Sequence, residues 1–143
     1  MRGLLDVNVL IALFDPDHVF HERAHVWWAA QADEGWASCP ISENGFARIM
    51  SQPAYSARAR FSAPELIERL ATFAQQTNHE FWSDSISLRD TRLFVHDRIR
   101  SRQITDIYLL ALATGRGGRL VTFDEGIPLS AAIGAVAHNL AVI

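Results

Sequence analysis

Four acidic residues, far apart in the chain, stand at positions where the side chains of an enzyme site are commonly found. Each ends an apolar run or opens a predicted helix, at the boundary between a buried element and a polar stretch. Brought within a few ångströms, such carboxylates raise one another's pKa unless a cation neutralises them. Mg²⁺ and Mn²⁺ prefer carboxylate oxygen, and sites of this kind typically act on phosphate oxygens. The four candidates are Asp6, Glu43, Asp106 and Asp124.

Each acid taken alone also has a purely structural explanation. Glu43 and Asp106 suit the positive end of a helix, and Asp6 and Asp124 suit turns. The chemical interpretation therefore depends on the side chains meeting at one place in the folded protein.

A second candidate site is the segment His21-Glu22-Arg23-Ala24-His25, which has the pattern H-E-x-x-H. In zinc peptidases this spacing places two histidine ligands on one helix face, with the glutamate as a base. The required third ligand is not identifiable nearby in the sequence. An exposed helix face is therefore the favoured interpretation, and a zinc metallopeptidase is the alternative.

Short apolar runs alternate with amphipathic stretches, which predicts strands alternating with helices. The predicted strands are 2–7, 36–39, 79–82, 120–124 and 140–143. The predicted helices are 9–14, 20–32, a helix introduced by Pro40 and capped by Ser42, 62–76, and 107–114 capped by Thr105-Asp106; a loop is expected over 51–63. This order implies one α/β domain over residues 1–143 with a mostly parallel sheet. Ligands of such sheets lie beyond the carboxyl ends of the strands, where all four acids are expected.

Length and composition restrict the class of protein. The chain has 143 residues, of which 49% are hydrophobic and 20% charged, which fits one folded domain rather than a disordered or fibrous chain. The single cysteine, Cys39, can form no internal disulfide, which favours a reducing cytoplasm. Asp6 and Asn8 interrupt the apolar start, and no apolar run approaches the ~20 residues that cross a bilayer. We therefore expect neither a signal peptide nor a membrane span.

The charge of the chain is distributed unevenly between its acids and its arginines. A net charge of −3 argues by itself against a generic nucleic-acid coat protein. All 13 basic residues are arginine, the side chain that clamps phosphate bidentately. An arginine-rich helix-and-loop region over 87–102 precedes Asp106, and a solvated charged face is its ordinary explanation. The candidate substrate contacts in this region are Arg98, Arg100 and Arg102.

Four segments of the chain resemble, in the expected order, the motifs of PIN-domain ribonucleases of the VapC toxin type. They are Leu4-Leu5-Asp6-Val7-Asn8-Val9-Leu10, Ile41-Ser42-Glu43-Asn44-Gly45-Phe46-Ala47-Arg48, Thr105-Asp106-Ile107-Tyr108-Leu109-Leu110-Ala111-Leu112-Ala113 and Val121-Thr122-Phe123-Asp124. The resemblance implies a PIN-like three-layer α/β/α sandwich with a mostly parallel central sheet. It also implies an endoribonuclease toxin that uses Mg²⁺, with Mn²⁺ as a substitute, forms a homodimer and is neutralised by a cognate antitoxin protein.

The resemblance assigns roles to particular residues of this chain. The carboxylates that carry over as metal-binding and catalytic are Asp6, Glu43, Asp106 and Asp124. Asn8 and Thr122 carry over as polar neighbours that orient carboxylates or water, and Glu125 could substitute for Asp124. The remaining alternative is a non-catalytic PIN-like binding module, against which the complete set of four acids argues.

Overall fold

The computed structural model describes residues 1–58 and 60–143, which form a parallel sheet covered by helices. The strands are β1 Gly3–Leu5, β2 Trp36–Ser38, β3 His79–Phe81, β4 Arg119–Thr122 and β5 Leu140–Val142. The helices are α1 Val7–Phe14, α2 His21–Gln31, α3 Pro40–Met50, α4 Ala63–Gln76 and α5 Ile104–Gly115. The strands are ordered β3-β2-β1-β4-β5, and every neighbouring pair runs parallel. The predicted mostly parallel sheet is confirmed.

Both faces of the sheet are buried, which gives the three predicted layers. Leu4 and Leu5 are each 0% exposed because successive side chains of a strand point to opposite faces. Leu5 packs with residues of α1, α2, α3 and α4, whereas Leu4 packs with residues of α5. The unbroken apolar run of β1 is therefore explained by helices on both sides of the sheet.

The strand order reverses between β1 and β4. From β1 the chain builds outward through β2 and β3, and then returns to place β4 on the other side of β1. Leu5 pairs with Val121, so the carboxyl ends of these two strands are neighbours. Such a switch point leaves a crevice beyond the strand ends, which is the usual ligand site of an open α/β sheet.

Two predicted boundaries at the start of the chain are wrong by a few residues. The strand predicted over 2–7 ends at Leu5, and α1 begins at Val7 rather than at residue 9. The cause is Asp6, whose backbone is extended and whose carboxylate accepts a hydrogen bond from the Val7 N–H, which makes it the N-cap of α1.

The starts of α3 and α5 also differ from prediction. Ser42 lies inside the first turn of α3 and not at its cap, because its Oγ accepts a hydrogen bond from the Cys39 N–H and closes a capping box. Thr105 and Asp106 lie inside the first turn of α5, which begins at Ile104. The predicted cap of α4 is confirmed, since Ser62 Oγ accepts from the Glu65 N–H.

The segments outside these elements agree broadly with prediction. Over 87–102 the structure has turns and the short 3₁₀ helix His96–Arg98, and a second 3₁₀ helix, Ser101–Gln103, leads into α5. The predicted loop over 51–63 includes residue 59, which lies outside the described residues. In the described part of the chain no helix combines the length and apolar character that a membrane crossing requires.

Candidate metal centre

Asp6 stands at the carboxyl end of β1 with both carboxylate oxygens held. Oδ1 accepts a hydrogen bond from the Val7 N–H at 2.6 Å, and Oδ2 accepts one from Thr122 Oγ at 2.9 Å. The side chain is only 6% exposed. Burial raises the pKa of Asp6, the two hydrogen bonds oppose that rise, and the charge of Asp124 adds to it. Thr122, predicted as a polar neighbour, fixes the orientation of this carboxylate from the end of β4.

Asp124 lies two residues beyond β4 in a turn that its own side chain organises. Its backbone N–H donates to Thr122 Oγ at 3.1 Å, and its Oδ1 accepts from the Gly126 N–H at 2.7 Å. Thr122 therefore links the two aspartates, since the same hydroxyl contacts Asp6 and the backbone of Asp124. Glu125 is exposed beside this turn.

Asp106, in the first turn of α5, completes a group of three aspartates. Burial, the charges of Asp6 and Asp124, and a hydrogen bond with Asp124 raise the pKa of Asp106 to about 6. Burial is the largest cause, and the contributions of Asp6 and Asp124 place Asp106 in the field of both other carboxylates. Acids separated by 100 residues in the sequence therefore meet at the switch point of the sheet.

The chemistry of these three side chains fits a hard divalent cation. They offer only oxygen ligands, and their mutual repulsion is not compensated by a basic side chain in ion-pair contact within the described residues. Within residues 1–58 and 60–143, no three His, Cys, Asp or Glu side chains already surround one point as a ready metal cage. Binding would require Asp106 and Asp124 to exchange their mutual hydrogen bond for contacts with the cation, while Thr122 keeps Asp6 in place.

Glu43 does not join the three aspartates in this structure. Its Oε1 accepts a hydrogen bond from Ser38 Oγ at 2.6 Å, and the same Oγ lies 2.8 Å from His79 Nε2. Ser38 is fully buried at the end of β2, so Glu43 is tied toward β3. The structure brings three of the four predicted acids into one another's field, and the place of Glu43 beside them stays a prediction because its carboxylate is held by Ser38.

Sequence reasoning missed three polar residues beside Asp6. An open cavity of about 420 Å³ is lined by Asp6 and Asn8 together with Asn44, Arg48 and Thr105. Asn44 and Arg48 are four residues apart on α3 and so share a face. The signal in the sequence is Gly45, since a small residue inside a helix often marks a close contact with another element.

The arginines predicted as substrate contacts lie elsewhere. Arg98, Arg100 and Arg102 are exposed on the turns before α5, and Arg100 donates to the Asp97 carbonyl oxygen at 3.2 Å. They do not line the cavity beside Asp6. Their place before Asp106 keeps them available to a long ligand that crosses the start of α5.

The two histidines of the H-E-x-x-H segment form hydrogen bonds with carbonyl oxygens at the end of α1. His21 Nδ1 lies 2.7 Å from the Ala12 carbonyl oxygen, and His25 Nε2 lies 3.0 Å from the Leu13 carbonyl oxygen. Both carbonyls belong to the last turn of α1, which has no intrahelical partner for them. Within the described residues, no third His, Cys, Asp or Glu side chain joins the two histidines as a ligand, which argues against the zinc-peptidase alternative.

We therefore expect a His21→Ala, His25→Ala double variant to be less stable but not to lose a zinc site. Two hydrogen bonds are lost, which lowers the free energy of unfolding by about 1–3 kcal/mol. Urea denaturation measures this change, and thermal melts with and without Zn²⁺ measure metal binding. Zinc that raised the melting temperature of the wild type, and not of the variant, would contradict the structural role.

Asp106→Asn is expected to stabilise the metal-free protein at pH 7.5. The raised pKa means that the folded protein binds the Asp106 proton more tightly than the unfolded chain does. Ionised Asp106 therefore lowers the free energy of unfolding above about pH 6, and this loss of stability becomes smaller as the pH falls and the carboxyl is protonated. The advantage of the variant over wild type should therefore shrink between pH 7.5 and pH 5. Thermal melts in chelator test this, with Asp33→Asn, exposed before β2, as the control. A difference in melting temperature between Asp106→Asn and wild type that does not change with pH would contradict repulsion between Asp106 and its neighbouring carboxylates.

Comparisons with known proteins extend the likeness over the full chain. The PIN domain family model matches residues 3–132. Ribonuclease VapC44 of Mycobacterium tuberculosis (strain ATCC 25618 / H37Rv) is 49% identical over 144 residues, which cover 100% of each chain. Ribonuclease VapC39 of the same strain is 41% identical and covers 95% of this chain and 98% of that protein.

One solved structure supports the fold. The crystal structure of VapBC2 from Rickettsia felis bound to a DNA fragment from its promoter matches with a TM-score of 0.51 and 14% identity. The match covers 87% of this chain and 89% of the other. At this identity it supports the chain path alone, in agreement with the three-layer arrangement.

Proposed function

The chain belongs to the PIN-domain family, and from that membership we propose that it is a metal-dependent endoribonuclease toxin that hydrolyses RNA phosphodiester bonds. Full-length relatives at 49% and 41% identity are ribonucleases of the VapC type. The observation that carries the proposal is the meeting of Asp6, Asp106 and Asp124 at the switch point of the sheet. No second function is favoured by a specific contact.

Asp6, Asp106 and Asp124 are the proposed ligands of Mg²⁺, for which Mn²⁺ can substitute. Glu43 is the proposed fourth carboxylate, and it reaches the aspartates only after releasing Ser38. When bound, the metal lowers the pKa of a water molecule and stabilises negative charge on the phosphate.

The protein side chains supply orientation and proton transfer. Thr122 holds Asp6 by its Oδ2, which leaves the carboxylate little freedom to rotate away. Burial and the charges of Asp6 and Asp124 raise the pKa of Asp106 to about 6, so its carboxylate is suited to accept a proton from an attacking water near neutral pH. Asn8 offers an amide beside Asp6. Arg98, Arg100 and Arg102, exposed on the segment before α5, are the proposed contacts to RNA beyond the scissile bond.

The same proposal extends to partners and compartment. Relatives named as VapC, and a structural neighbour named as a VapBC complex, support a cognate antitoxin protein that neutralises this chain. We further propose a homodimer that acts in the cytoplasm, where the unpaired and buried Cys39 stays reduced.

Incubation of the purified protein with total cellular RNA tests the proposal. With Mg²⁺ or Mn²⁺ we expect cleavage at a limited set of positions, detected by sequencing the new 5′ ends. The ends should be absent with chelator and absent with Asp106→Asn. RNA left intact by folded, metal-supplied protein would argue for the non-catalytic binding module instead.

A further inference from the structure

The cavity beside Asp6 exists because α3 passes unusually close to the start of α1. A Cβ atom on Gly45 would lie 2.6 Å from Val7 Cγ2, closer than real Cβ atoms approach a neighbour. Val7 follows Asp6 directly, so this contact fixes α3 beside the carboxylate. Gly45 thereby sets the distance between α3 and Asp6.

Arg48 is the positively charged side chain in this cavity. It lies one turn after Asn44 on the same face of α3, and both are exposed. Among the described residues, the Arg48 guanidinium has no hydrogen-bond or ion-pair partner, whereas Arg2, Arg92 and Arg119 are paired with acids. The Arg48 guanidinium, in the same cavity as the Asp6 carboxylate, therefore has its donors available to a ligand.

The other polar groups of the cavity suit a phosphate. Asn8 and Asn44 offer amide donors, and Thr105 offers a hydroxyl, so no further carboxylate besides Asp6 repels an anion there. A guanidinium with neutral donors around it is the usual protein arrangement for holding phosphate oxygens.

We propose that Arg48 and Asn44 form a phosphate subsite, which holds one phosphodiester of the RNA backbone beside the Asp6 carboxylate. This inference rests on the proposed function and deepens it, because it names the part of the substrate that α3 binds. Arg48 is then a substrate-binding residue, set by Gly45 at the distance from Asp6 that the RNA backbone must span. The arginines before α5 contact RNA farther from Asp6.

RNA binding measures the subsite without any cleavage step. In the Asp106→Asn background, fluorescence anisotropy with a labelled RNA oligonucleotide gives the Kd of each further variant. Adding Arg48→Ala should weaken binding by about tenfold or more, the size of one lost charge-assisted contact. The slope of log Kd against log salt should fall by about 0.7, the value for one phosphate contact to a single strand. Arg48→Lys should recover part of the affinity.

Cleavage kinetics and a matched arginine complete the test. In the otherwise wild-type protein, Arg48→Ala should raise KM with a smaller effect on kcat, since a backbone contact is made in the ground state. The control is Arg116→Ala, at the end of α5 remote from Asp106, which should stay within about twofold of wild type. Circular dichroism establishes that each variant is folded.

The outcomes separate this inference from the proposed function. A wild type that cleaves RNA, with Arg48→Ala unchanged in KM, Kd and salt slope, overturns the subsite and leaves the nuclease standing. A wild type that cleaves no RNA overturns the nuclease, and the anisotropy data then decide the subsite alone. An equal loss of RNA affinity in Arg48→Ala and Arg116→Ala would also overturn the subsite, because it would reflect the net charge of the protein rather than a specific contact.

Discussion

Asparagine in place of Asp6 or Asp106 is expected to reduce RNA cleavage by more than about 100-fold while the fold is retained. Loss of a mere hydrogen-bonding partner of a metal ligand costs about 10–100-fold, so loss of a ligand costs more. Asn keeps the size of each side chain, and in Asp106 it also removes repulsion from Asp6 and Asp124. The defect should therefore lie in catalysis and metal binding rather than in stability.

Single-turnover cleavage of one mapped RNA site measures this effect. Asp33→Asn, an exposed acid before β2 at the opposite end of the strands, is the matched control and should cleave at the wild-type rate. A Glu43→Gln variant shows whether this acid enters the metal site. Cleavage within about threefold of wild type in both Asp6→Asn and Asp106→Asn would exclude the three aspartates from the chemistry.

Removal of divalent metal is expected to abolish cleavage and to lower stability. The aspartates repel one another when no cation is bound, and a ligand that binds only the folded state stabilises it. At a Mg²⁺ concentration 100 times Kd the gain is about 2.7 kcal/mol. Cleavage should return with Mg²⁺ or Mn²⁺ after chelation.

Thermal melts across a Mg²⁺ titration measure the stability effect. The rise in melting temperature should be present in wild type and in Asp33→Asn, and absent in Asp6→Asn. Full cleavage in excess chelator, or an equal rise in all three proteins, would contradict a metal held by these carboxylates.

The order of the acids and the class of the sheet could be predicted from the sequence. Asp6 follows an apolar run, Asp124 follows a buried stretch in which Thr122 is the one polar residue, and Asp106 opens an apolar helix. Buried runs of this kind are typical of a parallel sheet covered on both faces. Strand pairing then brings these residues together, because carboxyl ends of parallel strands share an edge. The pattern of apolar residues along the chain was therefore sufficient to predict the features that depend on burial, namely the class of the sheet and the order of the acids.

The orientation of α3 could not be predicted in the same way. Asn44 lines the cavity beside Asp6, the adjacent Glu43 accepts a hydrogen bond from Ser38, and α3 is held close to α1 where Gly45 meets Val7. That contact joins two helices distant in sequence, so no periodicity within α3 reveals it. The buried Ser38, which holds Glu43 from β2, is likewise a tertiary partner.

The histidine and arginine patterns also depend on tertiary contacts that spacing in the sequence does not reveal. His21 and His25 have zinc-ligand spacing, but their partners are the carbonyl oxygens at the end of α1. Clustering in sequence favoured Arg98, Arg100 and Arg102, whereas Arg48 lies in the cavity beside Asp6. Linear spacing cannot distinguish a side chain that caps a neighbouring helix from one that binds a ligand.

Anomalous diffraction from a crystal soaked in Mn²⁺ tests the central claim most directly. The peak is expected in the crevice beyond β1 and β4, within coordination distance of carboxylate oxygens of Asp6 and Asp106, and it should vanish in Asp6→Asn crystals. A peak between His21 and His25, or no peak near the aspartates at a Mn²⁺ concentration that supports cleavage, would contradict the claim.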